Sequence, residues 1–278
     1  MENRMKINYI IGSLLLFLIT LSACEPLENR EEMTGSISAD DLQATVRVEQ
    51  IDGKNVNKVF FECSSPVSCQ WTNGVETHAT NSGEMLMFLT GEQTVTLTGL
   101  CGDGSVVTKD FPITVDELYY EVAPEYAMFC GSGEKTWTWQ ETATFGNGGA
   151  SSGGPAWWVL NAADIAEQCA GKNLDADGEG ATMTFILNGM KMIKTSADGK
   201  KTEGTFMFSM QETTQPVGIG LLNLNGTNIL CGHDFNDANF AAWSEYTIVS
   251  LSEDKMVLGV KEHAPNTNYW YYVFVPKE

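Results

Sequence analysis

From residue 40 to residue 115 apolar and polar positions alternate with a period of two. Val46 and Val48, then Val59, Phe61 and Cys63, then Cys69 and Trp71, then Val95 and Leu97, then Val107, Phe111, Ile113 and Val115 are each separated by polar neighbours. Successive side chains of an extended strand point to opposite faces, so each run offers one apolar face to a core. Between the runs stand Asp52-Gly53, Asn73-Gly74, Thr90-Gly91 and Gly102-Asp103-Gly104, residue types that supply the backbone angles of tight turns. Short alternating strands with turns at this spacing predict an antiparallel β-sandwich over residues 40–118.

Residues 116–128 join this module to the next, and Pro124 interrupts regular structure there. The second module, residues 119–278, is also predicted as strands. Asn188-Gly189 separates the run 181–187 from 190–193, and Asp198-Gly199 precedes 204–210, which predicts a three-stranded meander through type I′ turns. Further strands are expected near 135–140, between 217 and 230, and at 246–250, 256–260 and 269–275. The one predicted helix is 161–170. About eight strands suffice for a jelly roll or a closed barrel. In the last strand Trp270, Tyr272 and Phe274 share one face while Tyr269, Tyr271 and Val273 share the other, so at least one face is core.

The N-terminus carries a different signal. Arg4 and Lys6 precede an apolar run, 10–20, that is too short to span a bilayer and ends in Leu21-Ser22-Ala23-Cys24. This resembles a bacterial lipobox, which implies removal of residues 1–23 as a signal peptide and acylation of Cys24, with chains such as palmitate. Several acyl chains on one residue anchor a protein stably, at roughly 0.8 kcal/mol per buried methylene. Residues 24–39, with Glu25, Glu28, Glu31 and Glu32, read as a flexible acidic tether. Acidic residues placed there also resemble the surface-export signal of lipoproteins in anaerobic gut Gram-negative bacteria; a plain spacer is an equal reading.

Charge narrows the partners. The chain holds 16 Lys+Arg against 36 Asp+Glu, a net charge of −20, the wrong sign for a nucleic-acid partner. A 43% hydrophobic content excludes a disordered chain.

Two stretches resemble known modules. Cys69-Gln-Trp71-Thr-Asn-Gly74, the strand from Thr90 to Leu97, Asp103-Gly104 and Phe111-Pro-Ile-Thr-Val115 resemble the polycystic-kidney-disease (PKD) type immunoglobulin-like repeat, with Gln93 where that family usually has Tyr and Asn73-Gly74 where it has Gly-Asp-Gly. Such repeats space or present neighbouring domains. Gly133-Glu-Lys-Thr-Trp137-Thr-Trp139, Phe145-Gly-Asn-Gly-Gly149 leading to Pro155-Ala-Trp157-Trp158, Leu251 to Leu258 and Tyr269-Trp-Tyr-Tyr272 resemble a module that follows PKD-like domains in surface glycan-binding lipoproteins of gut Gram-negative bacteria. The architecture implied is all-β: an N-terminal immunoglobulin-like (PKD-type) β-sandwich followed by a jelly-roll-like β-sandwich. The function implied is polysaccharide handling at the outer membrane, as part of a glycan-uptake complex.

Aromatic density carries the candidate chemistry. Sugars stack their C–H faces on indole and phenol rings while their hydroxyls take amide and carboxylate partners. Trp137 and Trp139 share one strand face, and Trp157 and Trp158 follow a glycine-rich loop, so these four are the candidate ligand-binding residues, each weighed against a core role. Trp71 reads as core. Asp175, Asp177 and Glu179 offer hard oxygen ligands for a structural Ca²⁺, a glycosidase pair in Asp177 and Glu179 of the laminarinase jelly-roll kind, or a solvated turn. Cys231, His233 and Asp237 lack a further ligand at zinc spacing and read as loop. Beyond Cys24, three cysteines fall in each module, which predicts mostly free buried thiols and at most one disulfide per module. The leading expectation is a non-catalytic glycan-binding lipoprotein at the cell surface; the others are a glycoside hydrolase and a structural or adhesin lipoprotein.

Overall fold

The computed structural model describes residues 35–172, 174–237, 239, 241–263 and 267–278. The leader, Cys24 and nearly all of the tether lie outside the described residues.

Seven strands form the N-terminal half: β1 (Ala44–Ile51), β2 (Lys54–Cys63), β3 (Ser68–Thr72), β4 (Thr77–His78), β5 (Ser82–Leu86), β6 (Gly91–Leu100) and β7 (Val106–Val115). They make two antiparallel sheets, β1-β2-β5 and β4-β3-β6-β7. Val59, Phe61 and Cys63 of β2 and Met85 of β5 meet Cys69 and Trp71 of β3 and Val95 and Leu97 of β6 in one apolar cluster, so the sheets pack face to face as the alternation predicts. Trp71 is fully buried, its ring 4.9 Å from Phe61 and 5.7 Å from Phe111.

The joining segment is clamped rather than loose. Buried Asn57 donates from its amide to the carbonyls of Met87 (3.1 Å) and Tyr120 (2.9 Å) and accepts the Tyr120 N–H at 2.9 Å. Pro124 does not end structure here; it precedes α1 (Glu125–Cys130). A helix tolerates proline at its start, where no intrahelical N–H partner is needed. Phe129 and Cys130 are the residues that α1 buries.

The second half contains β8 (Glu134–Trp139), β9 (Phe145–Gly148), β10 (Trp158–Leu160), α2 (Ala162–Ala170), β11 (Thr182–Ile186), β12 (Lys191–Thr195), β13 (Lys201–Thr214), β14 (Val217–Asn225), β15 (Glu245–Leu251), β16 (Met256–Lys261) and β17 (Tyr269–Pro276). Strands β11 to β17 pair in sequence order, and β8 pairs with both β11 and β17, which closes eight strands into a barrel-like sheet. The jelly-roll expectation therefore gives way to a meander. Each strand from β11 to β17 pairs with the next one in sequence, even across the long 226–244 connection between β14 and β15, whereas a jelly roll needs strands that cross between two sheets. The interior is packed, not hollow: Trp137, Trp139, Phe185, Met192, Phe206, Leu222, Tyr246, Leu258, Trp270, Tyr272 and Phe274 share one core cluster.

The hairpin turns sit slightly differently from the prediction. Positive φ falls on Gly189 (78°) and Met190 (47°), and in the next turn on Gly199 (88°), so neither is the type I′ turn, which needs both central residues positive. The helix α2 matches its predicted span to within one residue, and the Asp164 carboxylate accepts the Asn161 N–H at 3.2 Å to cap it. Among the described residues no helix is long and apolar enough to cross a membrane.

Candidate functional site

The glycine-rich stretch folds as a hairpin, β9 and β10, attached to the start of β17. Asn147 organises it: its carbonyl accepts the N–H groups of Ala156 (2.9 Å) and Trp157 (3.0 Å), and its side-chain oxygen accepts that of Trp158 (3.1 Å). Tyr271 donates its hydroxyl to the Gly149 carbonyl at 2.5 Å, and Ser152 accepts the Gly149 N–H at 2.8 Å. Gly146 lets the two strands approach. A Cβ there would lie 1.9 Å from the Trp158 carbonyl oxygen, a contact with backbone that cannot yield. Gly146→Ala is expected to displace β10 and to raise amide hydrogen exchange across residues 156–160, with the remaining strands of the closed sheet still protected.

Trp157 and Trp158 are then held at the surface, 63% and 37% exposed. Trp158 meets Phe145 and Trp270 edge to face, each at 6.0 Å, while Phe145 stacks on Trp270 at 5.3 Å and touches Phe235 at 5.2 Å. Beside this cluster opens a recess of about 300 Å³ lined by Asn147, Trp158, Gln168, Lys172, Phe235, Asn236 and Trp270. Trp158 is the exposed ring of this lining; Phe235 and Trp270 are buried and back it, beside three amides and one ammonium. The Lys172 ammonium lies 5.0 Å from the centre of the Phe235 ring and 3.4 Å from the Gln168 side-chain oxygen.

Asp234 fixes the back of the recess. It is buried and accepts the Asn236 N–H (2.9 Å), the Trp270 indole N–H (3.2 Å), the His263 N–H (2.9 Å) and a contact from His263 Nδ1 (3.0 Å). Burial alone raises the Asp234 carboxyl, yet these donors outweigh it and hold the group below its ordinary value. Asn236 in turn donates to the Glu262 carboxylate at 3.1 Å.

Two other recesses are poorer sugar sites because their rings face each other. In a 380 Å³ recess the His263 ring stacks on Trp243 at 4.0 Å. In a 560 Å³ recess where the two halves meet, Tyr126 packs against Phe88 at 4.5 Å and Phe208 at 4.8 Å.

The other sequence candidates fall elsewhere. Trp137 and Trp139 do share one strand face, but that face points into the closed sheet. Both are buried, their indole N–H groups bonded to the Phe129 carbonyl (3.1 Å) and to Asp177 (2.7 Å), so neither offers a face to a ligand. Asp175, Asp177 and Glu179, the residues offered for Ca²⁺, have three different settings. Asp175 is paired with Lys200 at 2.6 Å, Glu179 is exposed, and Asp177 is buried with both oxygens engaged by Trp139, the Gly178 N–H and the Cys231 N–H, all at 2.7 Å. Burial pushes the Asp177 carboxyl up, opposed by these donors and by nearby Lys194. Among the described residues no three His, Cys, Asp or Glu are grouped to hold a metal ion.

Pattern reading missed Asn147, Gln168, Lys172, Phe235, Asn236 and Trp270 as partners. The one local signal was Phe235, an apolar residue inside the polar run from Gly232 to Asp237. Compared with known proteins, the chain matches no family model and none of the curated proteins.

Proposed function

We propose that this protein is a non-catalytic glycan-binding lipoprotein, held at the outer membrane through an acylated Cys24, with the recess beside Trp158 and the exposed Trp157 ring as its sugar contact. The observation that carries the reading is the part-exposed Trp158 ring beside the amides of the recess, next to the exposed Trp157, on a hairpin pinned by Asn147. A binding site of this kind gains from rigidity, since an ordered ring loses little entropy on contact. In this reading the first pair of sheets is a PKD-type immunoglobulin-like spacer that lifts the site from the cell surface, and the protein serves a glycan-uptake complex.

The alternative, hydrolysis by Asp177 and Glu179, draws no support from their placement: one carboxylate is buried and fully bonded, the other is on the surface. A glycan array with the folded full-length protein is expected to give retention on at least one polysaccharide, without release of reducing sugar from it. Folded protein that is retained on none would count against the proposal, and sugar release abolished by Glu179→Gln would favour the hydrolase.

A further inference from the structure

Behind the recess two cysteines meet. Cys169 lies near the end of α2, one residue after Gln168, and Cys231 begins the segment that carries Phe235 and Asn236. Both are buried, and their Sγ atoms are 3.5 Å apart although 62 positions separate them in sequence. We propose that Cys169 and Cys231 are a disulfide-forming pair that closes when the chain folds in an oxidising compartment, tying α2 to the 231–236 segment and so fixing the two walls of the recess. This concerns how the walls are held and stands whether or not a glycan enters between them.

A disulfide spans about 2.05 Å, so the sulfurs have about 1.5 Å to close. Cys231 is held by its backbone, whose N–H donates to Asp177 at 2.7 Å, so the adjustment falls on the side chains and on the end of α2. The chemistry is thiol–disulfide exchange. One cysteine thiolate attacks a donor disulfide, that of a thiol oxidoreductase or of oxidised glutathione, to give a mixed disulfide. The second thiolate then displaces the donor. Two electrons and the two thiol protons pass to the donor, which leaves as two thiols. Burial, followed by contact with Cys169, pushes the Cys231 thiol well up, so exchange is slow once the core has closed and belongs to the folding chain. The competing pair is Cys63 and Cys69, which lie against each other in the first core.

The test is to fold the full-length chain in a mixture of oxidised and reduced glutathione, alkylate the free thiols, digest, and map peptides without reduction. The expected product is a Cys169–Cys231 linked peptide, absent in Cys169→Ser and retained in Cys130→Ser, with the thermal midpoint of the wild type falling by several degrees on reduction. Should Cys169→Ser fail to fold, the wild-type map alone decides. Alkylation of both Cys169 and Cys231 in the wild type, or a Cys63–Cys69 bridge with these two alkylated, overturns the proposal.

Discussion

Trp71→Ala is expected to unfold the first pair of sheets while leaving the closed sheet in place. Trp71 is fully buried between Phe61 and Phe111, at the centre of the cluster where both sheets meet. Truncating a buried Trp costs about 3 to 5 kcal/mol, a large share of the roughly 5 to 15 kcal/mol that holds a domain together. For a unit of this size each kcal/mol moves the midpoint by about 4 to 8 °C, so a drop of about 12 °C or more is predicted. The second half has its own core, to which Leu89 is the first half's buried contribution. Hydrogen exchange should therefore show protection lost across β1 to β7 and kept across β11 to β17. Equal loss in both halves would mean that the two cores fold as one.

Asp234→Ala should be the most damaging change near the recess. It strands the buried indole N–H of Trp270 and the part-buried N–H groups of Asn236 and His263, a buried donor costing about 1 to 3 kcal/mol when left unmet and a part-buried one less. Allowing for water that refills the gap, a net loss of about 3 kcal/mol is expected, with the 231–237 segment losing amide protection first. The pH dependence has a definite sign. Because the folded-state value of Asp234 is depressed, its contribution is complete above the unfolded carboxylate value of about 3.9 and fades as pH falls through the lower folded value. The gap between wild type and Asp234→Ala should thus narrow as pH drops below about 4. Asp177 acts oppositely: its folded value is raised, so its contribution is present below that range and is lost as pH rises through the raised value. Asp177 is unchanged in the variant, so subtracting the two curves isolates Asp234. A gap that stays constant with pH would show that the carboxylate charge is not what the donors bind.

Local order was plain in the chain; long-range order was not. The alternation of Val59, Phe61 and Cys63 needs only the strand's own pleat, and β2 buries those three. The Asn161 and Asp164 cap is likewise a local property, and α2 begins where they place it. Closure is of another kind. The pairing of Phe274 with Trp139 joins strands far apart in sequence, and although β8 sets its Trp face apart from its Thr face, nothing within it says whether that face meets a core or a ligand. That is why Trp137 and Trp139, correctly placed on one face, also read as a candidate ligand platform. In β17 the alternation fails as a guide because both faces are covered: Tyr271 and Val273 are as buried as Tyr272 and Phe274. The recess draws one or two residues each from β9, β10, α2, the turn after it, the 235–236 loop and β17, so no stretch of sequence contains it. Trp157 and Trp158 were legible because a glycine-rich hairpin has little core of its own in which to hide a ring.

The proposal rests on those two rings, and they differ. Trp157 packs little and Trp158 borders the core, so Trp157→Ala separates binding from stability more cleanly than Trp158→Ala. The most direct test is affinity electrophoresis of folded full-length wild type, Trp157→Ala and Trp158→Ala through gels containing a polysaccharide that retains the wild type. A stacked ring worth about 0.5 to 1.5 kcal/mol corresponds to about 2- to 10-fold in affinity. The prediction is weakening of that size in both variants, with the midpoint of Trp157→Ala unchanged; retention equal to wild type in both would contradict the assignment of the glycan site to this hairpin.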